Sequence, residues 1–315
     1  MCCGPTRVPG YWRTASIPVT SFRRARLCAV RRILVTGARG QLGTALLRRG
    51  AEARLDMVGL SSGELDIADA GAVRDAVEPG SVVLNCAAYT AVDAAETDEA
   101  DAQRVNVDGA RNLARACARV GAQLVHVSTD YVFAGDAGVP YEPDAPTGPR
   151  TVYGRTKLAG ERAVLEADPG AVVVRTAWVY SGVGTDFVAT MLRLQRDRET
   201  VDVVDDQVGS PTYAGDLAAG LLELAGREDV AGGVLHATNS GQASWFELAR
   251  AVFSGVGADP ARVHPCSSAQ FPRPAPRPAY SVLSPASWAA AGLTPLRPWP
   301  EALEAALAMA SPASD

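Results

Sequence analysis

Lysine is nearly missing from this 315-residue chain: of its 30 lysine and arginine residues, only Lys157 is a lysine. Other scarcities exclude whole chemistries. Histidine occurs only as His126, His236 and His264, too scattered for a metal cage or a Ser-His-Asp order. The six cysteines (Cys2, Cys3, Cys28, Cys86, Cys117 and Cys266) form no C-x-x-C pair and have no zinc-ligand spacing. They read as free thiols in a reducing cytoplasm, and no metal site is expected. No apolar run approaches the ~20 residues of a membrane span, so no membrane partner is expected. A net charge of −5 weighs against a broad nucleic-acid footprint.

What is present is an ordinary globular composition, 47% hydrophobic and 21% charged. At roughly 150 residues per unit, the length predicts about two structural units. Residues 1–30 stand apart. They hold Arg7, Arg13, Arg23, Arg24 and Arg26 with no acid, and lack the continuous apolar stretch of a signal peptide. They read as a disordered or mis-started extension, with a basic arm for an acidic partner as the other reading. From Arg32 onward, short apolar runs alternate with helical spacing. Strands are predicted at Ile33–Thr36, Leu55–Leu60, Ser81–Cys86, Gln123–Ser128 and Ala171–Thr176. One long helix is predicted over Ala100–Val120, with Arg104, Arg111, Arg115 and Arg119 outward, and another over Thr151–Glu166. Continuous apolar strands alternating with helices predict an α/β fold, a doubly wound parallel sheet, over residues 31–180. Beyond that the rhythm weakens, and Pro272–Pro278 (PRPAPRP) cannot be regular. Residues 181–315 read as a smaller substrate-binding lobe with some segments returning to the sheet.

The first motif is ILVTGARGQLG, in which Gly37, Gly40 and Gly43 lie between the first strand and the first helix. Gly37 permits the turn, Gly40 lets the backbone approach a pyrophosphate, and Gly43 lets the helix pack on the sheet. The N–H groups and dipole of that helix favour phosphates. The arrangement predicts a Rossmann-type NAD(P) site. After the second strand the chain reads Leu60-Ser61-Ser62, with no acid to repel a 2′-phosphate, and Arg39 is placed to pair with one. NADPH is therefore the expected cofactor, with NADH usable. Asp66 and Ile67 are expected toward the adenine, and Asn85–Thr90 along the cofactor groove.

The second motif is Tyr153-Gly-Arg-Thr-Lys157, a phenol and an ammonium on one helical face. The ammonium is expected to lower the phenol's pKa, so that Tyr153 exchanges a proton with a carbonyl or alcohol near neutral pH. Keeping a lysine here in an arginine-rich chain argues that the compact ammonium is needed. The fourth strand ends at Ser128-Thr129, where Thr129, or Ser128 in its place, is positioned to bond the substrate oxygen.

These residues resemble the extended short-chain dehydrogenase/reductase superfamily, and within it the dTDP-4-dehydrorhamnose reductase family, from about Arg32 onward. The likeness rests on GxxGQLG at Gly37–Gly43, AAYTAVDAAE at Ala87–Glu96, STDYVF at Ser128–Phe133, VYGRTKLAGE at Val152–Glu161 and RTAWVY at Arg175–Tyr180. DQVGSPTYAGDLA at Asp206–Ala218 and RPAYSVL at Arg277–Leu283 complete it. The resemblance implies that Tyr153 donates the proton, with Lys157 as its partner and Thr129 tuning it. It implies Gly40, Gln41, Leu42, Asp66, Ile67, Ala88, Tyr89, Thr90 and Val127 in the cofactor groove. It places Thr129, Asp130 and Trp178 at the sugar of a dTDP-4-keto-6-deoxyhexose, and Gln207, Pro211, Thr212 and Arg277 near its nucleotide. Some family members dimerise through a metal held by carboxylates. Ala45 stands at one of those places, which weighs against that bridge, while Mg2+ and the choice of monomer or homodimer stay open.

Two rivals belong beside this reading. A 4,6-dehydratase of the superfamily uses an Asp-Glu pair after the threonine, but Asp130 is followed here by Tyr131; an epimerase would recycle its cofactor. A non-catalytic NADP-binding regulatory subunit would retain the fold without turnover.

Overall fold

A computed structural model describes residue 1 and residues 31–310; the reading of 1–30 as an extension falls outside the described residues. Strands β1 (Ile33–Thr36), β2 (Met57–Leu60), β3 (Val82–Asn85), β4 (Gln123–Thr129) and β5 (Val172–Thr176) match the five expected runs to within two residues. With β10 (Gly233–His236) they form a six-stranded sheet, all parallel, in the order β10-β5-β4-β3-β1-β2. The strands read as continuous apolar runs because both faces are buried. Ile33, Val35, Val82 and Leu84 pack toward α1 (Gln41–Glu52) and α8 (Ala214–Ala225). Leu34, Val83, Leu124 and Val173 pack toward the opposite helices, among them α2 (Ala70–Ala76) and α5 (Ala110–Val120). Strand order reverses between β1 and β3, and the crevice beyond their carboxyl ends is where such sheets take ligands.

The predicted helix over 100–120 needs a correction. After α3 (Val92–Ala95) come α4 (Glu99–Gln103), a π-helical turn at Arg104–Gly109, and then α5. One residue inserted into a helix hardly alters its apolar periodicity, so the pattern does not reveal it. The turn has a structural use. Asn106 accepts from the Tyr89 N–H at 2.9 Å, and its amide donates to the Tyr89 carbonyl at 3.2 Å and the Thr156 hydroxyl at 3.0 Å. Thr156 lies on α6 (Val152–Ala167), whose first turn is capped by the Thr151 hydroxyl accepting from Gly154 N–H. A Cβ at Gly160 would lie 2.1 Å from the Asn106 carbonyl, so only glycine lets α6 approach this closely. The helix carrying Tyr153 and Lys157 is thereby fixed against the sheet.

Beyond β5 lie paired short strands: β6 (Val179–Tyr180) with β9 (Thr212–Tyr213), β7 (Val201–Val204) with β12 (Val263–Cys266), and β8 (Val208–Gly209) with β11 (Ala243–Ser244). Helices α7 (Phe187–Asp197), α9 (Trp245–Gly255) and α11 (Trp299–Ala310) share a separate apolar core with them, including Tyr180, Val188, Leu248, Val252 and Leu303. Pro272–Pro278 forms no regular element. No helix among the described residues is long and apolar enough to cross a membrane.

Candidate active site

A cavity of about 800 Å³ opens along the carboxyl edge of the sheet. Its first wall is the glycine turn. Gly37 adopts a left-handed φ of +67°, and a Cβ there would lie 2.7 Å from the Ala87 nitrogen. A Cβ at Gly43 would meet the Gly37 carbonyl at 2.4 Å. Gly40 is the N-cap of α1, with no side-chain cap and no acid in the first turn. The helix start therefore keeps its N–H groups and positive end free for an anion. This cradle, which side chains would fill, fits the diphosphate of a dinucleotide.

The end of β2 is less bare of acid than the sequence suggests. Glu64 folds back, and its carboxylate accepts from the Ser61 N–H at 2.9 Å and the Ser61 hydroxyl at 2.5 Å. Those bonds, with a smaller contribution from Arg39, hold its pKa below the usual value. Adjacency in sequence misses an acid that returns by a turn.

The second wall is β4 and α6. Val127, Ser128, Thr129, Asp130, Tyr153 and Lys157 all line the cavity. The Ser128 hydroxyl donates to the buried Glu161 carboxylate, which Arg175 grips through two bonds of 2.9 and 2.7 Å. Ser128 is thus committed to the interior, while Thr129 stands beside the Tyr153 phenol and donates to Asp130 at 3.0 Å. Asp130 is 3% exposed and, among the described residues, its Oδ2 has no hydrogen-bond partner; burial raises its pKa to about 6, with the bond from Thr129 pulling the other way.

The expected acidification of the phenol does not occur. Burial pushes Tyr153 up to about 12, with Thr129 pulling down and Asp130 adding to the rise. The Lys157 Nζ is turned to the Val127 carbonyl at 2.7 Å, and burial lowers it to about 8. Helical spacing places the two side chains on one face, but it does not reveal that a backbone acceptor claims the amine.

The third wall comes from the distal elements. Trp178 has a left-handed φ of 47°, a strained conformation for a bulky residue. Its ring stacks on Trp245 at 3.5 Å and 4° between planes, and Phe187 adjoins at 4.6 Å. A Cβ at Gly209 would lie 2.3 Å from the Trp178 ring, so that glycine makes room for the stack. Gln207 is held by the Trp245 indole N–H at 3.2 Å and itself donates to Ser268 at 2.8 Å. Arg277 donates to Asp93 at 2.8 Å and to the Ala275 carbonyl at 2.9 Å, tying the proline-rich segment to α3. That guanidinium holds the Asp93 carboxyl below its ordinary range.

Of the residues singled out from sequence, Gly37, Gly40, Gln41, Leu42, Gly43, Ala88, Thr90, Val127, Thr129, Asp130, Tyr153, Lys157, Trp178, Gln207 and Arg277 share this one cavity. Others, Arg39 among them, stand outside its wall. Asp66 is on the surface, paired with Arg104 at 2.8 Å. Ile67 is buried beneath Gly109. Tyr89 turns its hydroxyl to Asp98 at 3.1 Å. Pro211 and Thr212 are buried behind the lobe, where the Thr212 hydroxyl donates to the Ser210 carbonyl. Sequence reasoning missed Trp245, Phe187, Phe271 and Arg273, which also line the cavity. Phe187 and Trp245 open the amphipathic helices α7 and α9, and Phe271 and Arg273 lie in an irregular stretch, so no shared pattern marks the four in advance. No group of His, Cys, Asp or Glu among the described residues is arranged to hold a metal ion, and Ala45 is buried in the core shared by α1 and α8.

The chain resembles known proteins over most of its length. A family model described as the RmlD substrate binding domain matches residues 31–311. A dTDP-4-dehydrorhamnose reductase of Mycolicibacterium smegmatis is 56% identical, over 95% of this chain and 92% of the relative. The Mycobacterium tuberculosis protein of the same name is 59% identical, over 88% and 92%. The crystal structure of a Bacillus anthracis dTDP-4-dehydrorhamnose reductase in complex with NADP superposes with a TM-score of 0.84 at 38% identity, covering 89% of this chain and 99% of that one. With the parallel sheet, the glycine cradle and the tyrosine–lysine helix in place, these matches show that the chain belongs to the dTDP-4-dehydrorhamnose reductase family of NAD(P)H-dependent oxidoreductases.

Proposed function

We propose that the chain reduces the C4 keto group of dTDP-4-dehydro-L-rhamnose to dTDP-L-rhamnose, with NADPH as reductant and Tyr153 as proton donor. The observation that carries this reading is the convergence of Tyr153, Thr129 and Asp130 on a cavity that also contains the uncapped start of α1. Gly37, Gly40, Gln41, Leu42 and Gly43 would hold the cofactor's diphosphate, and Ala88, Thr90 and Val127 its groove, with Arg39 toward a 2′-phosphate. When bound, the dihydronicotinamide supplies a hydride.

The residues of the chain supply the rest. A phenol raised to about 12 stays protonated at neutral pH, which is the form a proton donor needs. An alkoxide is more basic still, so transfer from the phenol to it remains downhill. Thr129 bonds the same substrate oxygen and orients it. Lys157 returns a proton to the phenolate and holds ribose hydroxyls. The unpartnered Asp130 Oδ2 accepts from a sugar hydroxyl. Residues between Phe187 and Pro278 form most of the third wall, where Trp178 covers the sugar and Gln207 and Arg277 meet the nucleotide. Binding the nucleotide far from C4 orients the reacting carbon.

The test is to incubate the purified protein with NADPH and the 4-keto sugar nucleotide, follow loss of reduced cofactor and identify the product. Stoichiometric oxidation with formation of dTDP-L-rhamnose is expected. A product formed without net cofactor consumption would point to epimerisation. No turnover, with a partner protein co-purifying, would point to a regulatory subunit.

A further inference from the structure

A buried polar chain runs behind Lys157 and has no role in the steps above. It begins at Thr36, whose hydroxyl donates to Asn85 Oδ1 at 2.6 Å. The Ala87 N–H donates to the same atom at 3.1 Å. A backbone N–H can only donate, so this end of the Asn85 amide is the oxygen and the other is the NH2. That NH2 faces Nδ1 of His126 at 2.8 Å, so Nδ1 must offer its lone pair. The ring is neutral, because burial holds it well below its usual pKa. A neutral imidazole with a bare Nδ1 carries its proton on Nε2. Nε2 lies 3.5 Å from the Lys157 Nζ, and the two residues are only 1% and 2% exposed.

Nζ therefore has an acceptor, the Val127 carbonyl, on one side and a donor on the other. An ammonium would set N–H against N–H there, whereas an amine turns its lone pair to the ring. We propose that His126 is a positioning residue for Lys157: locked in the Nε2–H tautomer by Asn85 and Thr36, it favours the amine over the ammonium. The charged and titratable groups around Nζ are few. Glu161, one turn along α6, and Cys86, after β3, favour the ammonium. Arg175 of β5 lies beyond Glu161 and is paired with it. Tyr153 stands one turn earlier on α6, next to Asp130.

The consequence for turnover rests on the proposed reduction. Once the phenol proton has passed to the substrate oxygen, a proton leaves Nζ, a new O–H bond forms at Tyr153, and the amine is reprotonated from water. An ammonium made more acidic by its neighbour gives up that proton more readily.

The test does not depend on turnover. Because the chain has a single lysine, protein grown on lysine labelled with ¹³C at Cε gives one side-chain resonance, whose pH titration reads Lys157 alone. The comparison is wild type, Asn85→Asp and His126→Phe. A carboxylate at position 85 takes a hydrogen bond from Nδ1–H, moves the ring proton off Nε2, and leaves Nε2 to accept from the ammonium. The titration midpoint is expected to rise by about one pH unit in Asn85→Asp and by less in His126→Phe. Midpoints that stay at the wild-type value in both folded variants overturn the proposal. Should the variants fail to fold, long-range ¹⁵N–¹H spectra of the wild-type imidazoles decide: a proton on Nε2 of His126 supports it, and one on Nδ1 overturns it. Failure of the NADPH assay with these shifts intact would strike the reduction and leave the His126 assignment standing.

Discussion

The two sides of the cavity are built differently. On the sheet side, Thr129, Tyr153 and Lys157 sit on β4 and α6, elements locked by the π turn at Asn106 and by the buried Arg175–Glu161 pair. On the lobe side, Trp178, Trp245, Phe271 and Arg277 come from the bend before β6, the start of α9 and the irregular stretch around the proline-rich segment. Under the proposed function, chemistry would fall on rigid elements and recognition on connections that vary without disturbing the sheet. The contrast predicts that sheet-side changes act on turnover and lobe-side changes on substrate affinity.

The largest expected effect is at Tyr153. Tyr153→Phe removes the donor but leaves the cradle intact, so kcat should fall by roughly 10²- to 10⁴-fold while NADPH binding is retained. Cofactor titration beside steady-state kinetics checks this, and near-wild-type turnover would remove Tyr153 as the donor. Next comes Asp130, where stability and affinity part company. Burial raises its pKa to about 6. Below the unfolded carboxylate range the acid is protonated in both states, and the folded state incurs no cost. As pH rises through about 6 the folded protein must ionise it in an enclosed site, and stability is lost. Asp130→Asn should therefore stabilise by roughly 2 to 3 kcal/mol near pH 7 and hardly at all near pH 4, while weakening substrate binding. Denaturant melts at the two pH values measure this, and an equal gain at both would contradict it.

On the lobe side, Arg277→Ala should raise KM about tenfold with kcat nearly unchanged, because it removes a charge-assisted contact and frees the proline-rich segment from Asp93. A fall in kcat without change in KM would erase the distinction between the two sides. The smallest effect is expected at Glu64. Glu64→Gln removes the charge folded onto Ser61 and should shift the ratio of NADPH to NADH efficiency a few-fold toward NADPH. An unchanged ratio would place Glu64 outside cofactor selection.

How much of this was legible in sequence follows the same division. β1 to β5 announced themselves because burial on both faces leaves unbroken apolar runs, and the glycine turn because its steric demand is local. Tyr153 and Lys157 shared a face by spacing alone. What spacing could not carry is partnership across the fold: Ser128 turned to Glu161, Lys157 turned to a carbonyl, and Glu64 folded back onto Ser61. Thr212 and Pro211 sit in a segment that reads as nucleotide-facing, yet the β6–β9 pairing buries them. The aromatic wall was illegible because Trp178, Trp245 and Phe271 come together from three distant segments with no shared period.

The last strand of the sheet, β10, pairs with β5 but arrives only at residue 233, after four short strands, the lobe helix α7 and the sheet-packing helix α8 have intervened. During synthesis, β5 must wait with a bare backbone edge while more than fifty further residues emerge. An unpaired edge of Val-Val-Val-Arg-Thr is an invitation to sticky association. Shortened versions that stop before residue 233 should accordingly accumulate as aggregates rather than as a working nucleotide-binding half.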